Sequence, residues 1–299
     1  MTKLSHLLVL LYILTSFNTQ AAYSSTQLTN NSYYPEDTSQ FISKTLIRAK
    51  KNTDLNSSEK IKAKLREIIV SAHIRTPNQN DTLVRECKNR QNCFMQRTPR
   101  NYKEARKYLF GDVYLQTSTQ GLYVKDIYCN QEVGQENGVG RMQIPNHQVM
   151  NCEHSWPQSR FNPRENRNTQ KNDLHHLFPA NSRANSSRSN HPFGEVNGRV
   201  VNSNCQDSHI GEVNYANETT TSFEPPEEIR GNIARALFYF STRYNISIDE
   251  AQEFYLRKWH SEDPVDAFEE RINNRIYEIQ NSRNPFIDDE TLVDAIKDF

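Results

Sequence analysis

Apolar residues recur at helical spacing in several segments of the chain. Ile61, Leu65 and Ile68 follow one another at intervals of three or four positions after Ser57, which predicts a helix from there to about His73. The same pattern predicts further helices over residues 102–108, 229–244, 249–259 and 264–281. Helices are therefore expected on both sides of the middle of the chain.

Alternating apolar and polar residues predict strands in the middle of the chain. Residues 113–129 alternate in this way around Gly121, which indicates paired strands separated by a break. Residues 131–140 are rich in glycine and predict a turn-rich connection to a strand that ends near His154. Pro157 supports an end at this point, because proline cannot donate a backbone hydrogen bond within a sheet.

Polar residues dominate the segment after this strand. The chain to about residue 172 is polar and rich in arginine, which predicts a loop. Asp173 can cap a helical turn, and Asn181 begins a predicted short helix that runs to Arg188. Asn185 is one turn after Asn181, and Arg188 follows three positions later on a neighbouring face.

The N-terminus has the layout of a secretory signal peptide. Lys3 precedes an apolar run over residues 7–14, and Ala21 and Ala22 follow a polar stretch. We predict a signal peptide over residues 1–21, with cleavage after Ala21 or Ala22. The run is too short to span a bilayer and no other segment approaches that length, so a secreted or periplasmic protein without a membrane segment is expected.

The rest of the chain is predicted to form one domain behind a leader. Residues 22–55 are polar, with little aliphatic content at their start, and predict a flexible leader without packed structure. Residues 56–299 are expected to form a single domain. The chain is 35% hydrophobic and 10% aromatic, which is enough for a modest packed core.

The five cysteines all follow the predicted signal peptide, and an exported protein can oxidise them. Cys87 and Cys93 bracket a polar loop and predict a local disulfide. Sequence does not choose among the pairings of Cys129, Cys152 and Cys205. We prefer Cys129 with Cys205, which leaves Cys152 buried and free; the alternative is Cys152 as a soft metal ligand.

Charge is balanced over the whole chain but not along it. Lys plus Arg and Asp plus Glu number 36 each, so the chain lacks the basic excess that alone would indicate nucleic-acid binding. Residues 141–199 contain eight basic against four acidic side chains, whereas residues 249–299 contain six against fourteen. A locally basic active surface fits this distribution, and a solvated surface without function is the alternative.

Three polar motifs between residues 151 and 190 contain the candidate chemistry. Mg2+ takes oxygen ligands and keeps several waters, so one or two side chains such as Glu153 and Asn185 could hold it beside a phosphate. His154 is the candidate base, because the histidine pKa starts near neutral pH. Neighbours on a regular strand point to opposite faces, so Glu153 and His154 can reach one phosphate only at a strand end, bulge or turn.

The order of these motifs resembles a known family. Glu-His-x-x-Pro from Glu153, Asp-Leu-His-x-Leu-x-Pro from Asp173 and Asn-x-x-Arg-Ser-Asn from Asn185 resemble the endonuclease I family of secreted and periplasmic bacterial nucleases. The resemblance covers roughly residue 58 onward. It implies an α+β fold of mixed helices and short antiparallel strands, in which a hairpin and a helix form a ββα-metal nuclease motif.

The same resemblance implies roles for individual residues. His154 would be the general base, and Glu153 and Asn185 would hold the metal. The motif from Asp173 to Pro179 would support the site, with His176 and Asn181 as further supporting residues.

Several arginines are candidates for contacts to phosphate. Arg188 could act in catalysis by binding phosphate or could pair with Asp173, and the sequence leaves both open. The family has a phosphate-stabilising arginine before its Asp-Leu motif, for which the candidates are Arg160, Arg164 and Arg167. Lys171 stands where some members have an acidic residue.

These observations predict a magnesium-dependent, sequence-nonspecific endonuclease that cuts DNA, with RNA as a second substrate, and leaves 5′-phosphate ends. Binding would use the phosphate backbone. Mn2+ and Ca2+ are alternative ions, and a monomer is expected. The alternatives are an exported nucleic-acid-binding protein without turnover and a zinc-binding protein that uses Cys152, His154, His175 and His176.

Overall fold

A computed structural model describes residue 28, residues 31–50 and residues 56–299 of the chain. The predicted signal peptide and its cleavage site lie outside the described residues. In the described part, no helix has the length and apolar character needed to cross a membrane.

The described chain combines ten α-helices with short antiparallel sheets, as an α+β fold requires. The helices are α1 Thr38–Lys50, α2 Ser57–Val70, α3 Tyr102–Tyr108, α4 Arg167–Asn172, α5 Ser182–Arg188, α6 Arg230–Tyr244, α7 Glu250–Glu262, α8 Ala267–Gln280, α9 Pro285–Asp288 and α10 Leu292–Ala295. The strands are β1 Ala72–Ile74, β2 Thr82–Val84, β3 Cys93–Phe94, β4 Gln116–Ser118, β5 Gly121–Lys125, β6 Glu132–Gly134, β7 Met150–His154, β8 Leu177–Asn181, β9 Asn197–Asn202, β10 Cys205–Tyr215 and β11 Glu218–Glu224.

The strands form four small sheets. Three have three strands each, in the orders β2-β1-β3, β4-β5-β6 and β9-β10-β11, and the fourth is the pair β7-β8. In that pair Met150 lies opposite Asn181 and His154 opposite Leu177. Helix α5 follows β8 directly and packs against both strands.

The long helix α6 forms the centre of the core behind the β7-β8 pair. Almost all of its residues are buried, including the charged Arg235, which pairs with Glu269 of α8. Phe240 of α6 stacks on Trp156, just beyond β7, with ring centroids 5.0 Å apart. The end of β7 is therefore supported from behind by an aromatic contact with the most buried helix.

Most predicted helices are confirmed, with shifts at their ends. Helix α2 ends at Val70 rather than near His73, because Ser71 adopts an extended conformation and the chain enters β1. The strands around Gly121 are confirmed as β4 and β5. Residues 109–113 instead continue α3 as a π-helical turn.

Two sequence predictions are wrong in part. Residues 31–50 are not an unpacked leader: Tyr34 donates to Asp288 over 2.6 Å, Tyr33 stacks on His73, and α1 buries Ile42. These aromatic and aliphatic side chains supply the burial that the average composition of the segment concealed. Leu28 is also buried, and the remaining leader residues lie outside the described ranges.

The arginine-rich segment predicted as a loop contains α4. The side chain of Asn166 accepts a hydrogen bond from the backbone N–H of Thr169, so it caps this helix. The cap compensates for a helix with no apolar face of its own. The sheet β9-β10-β11 was not predicted at all.

Candidate active site

Glu153 and His154 lie at the end of β7, where the strand gives way to a turn. Ser155 already leaves the strand, although its backbone N–H still donates to the carbonyl of His176 over 3.0 Å. Because the pleat ends here, the two neighbouring side chains are not held to strictly opposite faces. The expected strand end near His154 is confirmed.

Glu153 is a buried carboxylate with two partners. The hydroxyl of Tyr128 donates to Oε1 over 2.8 Å, and Nη1 of Arg188 lies 3.0 Å from the same oxygen. Burial raises the pKa of Glu153, and the charge of Arg188 and the bond from Tyr128 oppose this. The carboxylate is therefore held in one orientation by groups that favour its ionised form.

His154 is oriented by a backbone carbonyl. Its Nε2 lies 3.0 Å from the carbonyl oxygen of Lys171, so Nε2 carries the proton and donates it there. Its Nδ1 is then the acceptor, facing the amide nitrogen of Gln158 at 3.5 Å. Burial, followed by the nearby His176, lowers the pKa of His154 to about 3, so the imidazole is neutral at neutral pH.

Arg188 ties helix α5 to the end of β7. It is almost fully buried, and it donates to the carbonyl oxygens of His154 and Ser155 over 3.0 and 2.6 Å in addition to pairing with Glu153. Its guanidinium lies over the ring of Phe193. Of the two possibilities left open by the sequence, the pairing with Asp173 is wrong: the carboxylate partner of Arg188 is Glu153.

Asn181 and Asn185 are placed by the start of α5. The side chain of Asn181 accepts from the backbone N–H groups of Arg183 and Ala184 and so caps the helix. Asn185 is half-buried, one turn after Asn181. It also precedes Arg188 by three positions, so the two side chains are neighbours on the surface of α5.

Asp126 connects this helix to the segment that carries Tyr128. Its buried carboxylate accepts hydrogen bonds from the backbone N–H groups of Tyr128, Cys129, Gln131 and Asn181, at 2.9 to 3.1 Å. One side chain thus positions both the donor to Glu153 and the cap of α5.

Asp173 is a buried structural carboxylate. The hydroxyls of Tyr239 and Tyr244 donate to Oδ2 over 3.1 and 2.7 Å, and the amide of Gln280 donates to Oδ1 over 2.9 Å. Its Oδ1 also caps the turn at His175, as predicted. Burial alone would raise the pKa of Asp173, but its polar neighbours lower it.

His175 and His176 bond to backbone carbonyls. Nε2 of His175 lies 3.0 Å from the carbonyl oxygen of Ser282, and Nε2 of His176 lies 2.7 Å from that of Gln170. His176 also packs against His154, with ring centroids 5.4 Å apart. These contacts place His176 behind the candidate base, as a packing partner.

The three loop arginines differ in their surroundings. Nη1 of Arg167 donates to the carbonyl of Gln158 over 3.2 Å, so Arg167 supports the segment that faces His154. Burial and the nearby charge of Arg188 lower the pKa of Arg160. Within the described residues, the side chain of Arg164 makes no hydrogen bond or ion pair.

The donor atoms suit a hard cation better than zinc. Within the residues that the structure describes, no group of three or more His, Cys, Asp or Glu side chains could hold a metal ion. The zinc alternative requires such a group. Mg2+ requires fewer protein ligands, and one carboxylate from Glu153 with one carboxamide oxygen from Asn185 fits that requirement.

Both predicted disulfides are present. Cys87 pairs with Cys93 and Cys129 with Cys205, and Cys152 is buried and free. Burial raises the pKa of Cys152 to about 12, so this thiol stays protonated.

Tyr128 and Asp126 were missed in the sequence. Both lie outside the three polar motifs and reach them only through tertiary structure. Asp126 was the one residue that could have indicated this arrangement from the sequence, since an aspartate at the start of a turn accepts hydrogen bonds from the backbone N–H groups that follow it.

Comparison with known proteins identifies the family. A family model described as Endonuclease I matches residues 57–291. An extracellular ribonuclease of Bacillus amyloliquefaciens is 34% identical over 166 residues, which are 49% of this chain and 53% of the relative. An extracellular deoxyribonuclease of Aeromonas hydrophila is 32% identical over 123 residues, which are 40% of this chain and 50% of the relative.

A third relative is similar over the same extent. The endonuclease-1 of Buchnera aphidicola subsp. Acyrthosiphon pisum (strain APS) is 32% identical over 118 residues, which are 39% of this chain and 44% of the relative. The chain spans about half the length of the curated relatives that it matches. Since the family match covers most of its residues, the chain belongs to the endonuclease I family.

Proposed function

We propose that the chain is a divalent-metal-dependent endonuclease that hydrolyses phosphodiester bonds without sequence preference. DNA is the first substrate and RNA the second, since relatives are named for each. The supporting observation is the orientation of His154: its Nε2 donates to the carbonyl of Lys171, which leaves the Nδ1 lone pair as a base on the residue that follows Glu153. The hairpin β7-β8 followed by α5 would serve as the ββα-metal motif.

Glu153 and Asn185 would hold the ion, with Mg2+ as first choice and Mn2+ or Ca2+ as alternatives. When bound, the ion supplies Lewis-acid neutralisation of charge on the phosphate. Tyr128 and Arg188 keep Glu153 in place and favour its ionised form against the effect of burial. Arg188 is too deeply buried to reach substrate readily, so its part in catalysis would be to orient this carboxylate.

His154 would remove a proton from the attacking water through Nδ1. The amide nitrogen of Gln158 lies 3.5 Å from this atom, which is long for a hydrogen bond. A water molecule could displace the amide and form a shorter hydrogen bond with Nδ1. The new bond joins the water oxygen to phosphorus, and the bond from phosphorus to the 3′ oxygen breaks. The phosphate therefore remains on the 5′ end of the product.

The site suits an exported enzyme that reads the phosphate backbone. The two disulfides form in oxidising compartments, and relatives are named as extracellular or periplasmic nucleases. Arg160, Arg164 and Arg167 lie in the segment after β7 and are candidates for phosphate contacts. We retain a monomer as the proposed state.

The test is cleavage of supercoiled plasmid DNA and of single-stranded RNA by the oxidised protein, in Mg2+ and in EDTA. We expect cleavage only with Mg2+, and a loss of at least a hundredfold in His154→Ala. The DNA products should be ligatable without prior phosphorylation. His147→Ala is the matched control, since His147 is exposed in the loop before β7, and it should keep full activity.

Metal-independent cleavage would contradict the proposed cofactor. Equal cleavage by His154→Ala would contradict the proposed base. Binding of both nucleic acids without any cleavage would instead favour a binding protein without turnover.

A further inference from the structure

We propose that Arg106 and Lys171, gathered around the ring of Tyr102, form a second phosphate-binding subsite beside His154. The subsite would take a phosphodiester group that neighbours the one being cut. This inference rests on the proposed function, because it assigns a further contact to the same substrate.

The three side chains are close together on the flank of the candidate base. The ring centroid of Tyr102 lies 5.6 Å from that of His154. Nζ of Lys171 lies 4.5 Å from the Tyr102 ring, and Cζ of Arg106 lies 4.8 Å from it. All three are half-buried, so they are partly open to solvent.

Both cations lack an anionic partner. Within the described residues, neither Arg106 nor Lys171 takes part in an ion pair or donates a side-chain hydrogen bond. Nε of Arg106 is moreover buried without any hydrogen-bond partner. A buried donor without a partner is costly, and a bound anion would satisfy it. Two such cations around one ring indicate that the missing partner is negatively charged.

The cations are held in a defined place relative to His154. The backbone carbonyl of Lys171 is the acceptor for Nε2 of His154, so the lysine and the base belong to one hydrogen-bonded unit. The next residue, Asn172, donates to the carbonyl of Pro99 over 3.1 Å, which ties α4 to the start of α3. Arg106 lies on α3, four positions after Tyr102.

A phosphate group fits this subsite better than a base. The ring of Tyr102 is already in contact with two cations and an imidazole, so a base could stack on it only by displacing one of them. A phosphodiester group carries the required charge and can accept from both a guanidinium and an ammonium. The polyanionic strand also necessarily places a phosphate near the one at His154.

The test measures binding rather than cleavage. A fluorescein-labelled single-stranded deoxyoligonucleotide is titrated with wild-type protein in EDTA at a series of salt concentrations. Each phosphate contact adds about 0.7 to the slope of log affinity against log salt for a single strand. Because the two cations share one phosphate, we expect the double variant Arg106→Gln/Lys171→Gln to reduce the slope by about 0.7, and each single variant to reduce it by roughly half of that.

Two further variants make the result specific. Lys103→Gln removes an exposed cation from the same helix and should leave the slope unchanged. Arg106→Lys keeps the charge and should keep most of the slope, even if the substitution loosens α3. An unchanged slope in Arg106→Gln and Lys171→Gln, or an equal change in Lys103→Gln, overturns the subsite.

The outcome can be separated from that of the proposed function. If the wild-type protein cleaves nucleic acid but the slopes do not change, the subsite is wrong and the endonuclease remains. If the slopes change but no cleavage occurs under any condition, the subsite stands in a protein that binds nucleic acid without hydrolysis.

Discussion

The phenol of Tyr128 donates a hydrogen bond of 2.8 Å to Glu153, although the two residues are 25 positions apart in the chain. Tyr128 is held on both sides, by the hydrogen bond that its backbone N–H donates to the Asp126 carboxylate and by the neighbouring disulfide of Cys129. A tyrosine outside the polar motifs thus orients the proposed metal ligand.

Tyr128→Phe should weaken the apparent affinity for Mg2+ about tenfold, because the partners of a metal ligand tune its orientation and basicity. Cleavage at saturating Mg2+ should largely recover. The measurement is the Mg2+ midpoint of plasmid nicking. Tyr123→Phe, which removes a hydroxyl bonded to Gln116 on a different sheet, serves as control. An unchanged midpoint in Tyr128→Phe would falsify the assigned role.

Arg188→Met should destabilise the protein by about 3 kcal/mol, because it leaves the carboxylate of Glu153 buried without its cation. Glu153→Gln in the Arg188→Met background should then cost less than Glu153→Gln alone. Urea unfolding of the four proteins measures this coupling. Strictly additive losses would show that the two side chains do not stabilise each other.

Asp126→Asn should both lower stability and raise the Mg2+ midpoint. The carboxylate accepts hydrogen bonds from four backbone N–H groups. In the variant an NH2 group would replace one carboxylate oxygen, and this group is a donor that cannot accept from the backbone N–H groups that face it. The readouts are the melting temperature and plasmid nicking. Asp207→Asn, at an exposed position of β10, is the control. A loss of stability with an unchanged Mg2+ midpoint would limit Asp126 to a structural role.

The two disulfides should contribute unequally to stability. Cys129 and Cys205 are 76 positions apart, whereas Cys87 and Cys93 are 6 apart. Loop-closure entropy gives about 4.5 kcal/mol for the first and about 2 kcal/mol for the second. Urea unfolding of Cys129→Ser/Cys205→Ser and of Cys87→Ser/Cys93→Ser compares them. The reverse order would mean that strain or residual structure outweighs the entropy of the loops.

His260 should make the protein less stable in acid. Burial, and then the nearby Arg235, lower the pKa of His260 to about 4 from an ordinary 6.5. Because the pKa of His260 is lower in the folded state than in the unfolded state, the neutral side chain makes its full contribution to stability above pH 6.5. This contribution is lost as the pH falls towards 4. The loss should approach about 3 kcal/mol. His260→Gln should flatten the unfolding free energy over this range, whereas His147→Gln at an exposed site should not.

The secondary structure around the candidate site could be predicted from the sequence, because its residues lie in one short segment. The strand end at His154, the cap at Asn181 and the helix to Arg188 follow from local rules of strand termination and capping. The partner of Arg188 did not follow, because Asp173 and Glu153 were equally available acidic residues. Only the tertiary structure places Glu153 at 3.0 Å.

Other features depended on contacts that no local pattern encodes. Asn, Thr, Ser and Glu supply 11 of the 24 residues in the sheet β9-β10-β11, so the alternation of apolar and polar residues is weak. Gly198 faces Gly211 across two of its strands, where a Cβ at Gly198 would lie 2.2 Å from the carbonyl oxygen of Ile210. The burial of Tyr34 likewise depends on Asp288, which lies 254 positions away.

The partners of Asp173 have a consequence for the order of folding. Tyr239, Tyr244 and Gln280 lie 66, 71 and 107 positions after it in the chain. Pairing of β7 with β8 already closes the connection formed by residues 155–176, and the contacts of Asp173 require closure of longer loops, which is the slow part of folding. During synthesis the segment that carries His154 therefore emerges well before the helices that hold it in place, and the candidate site is completed late, when the last of these helices docks.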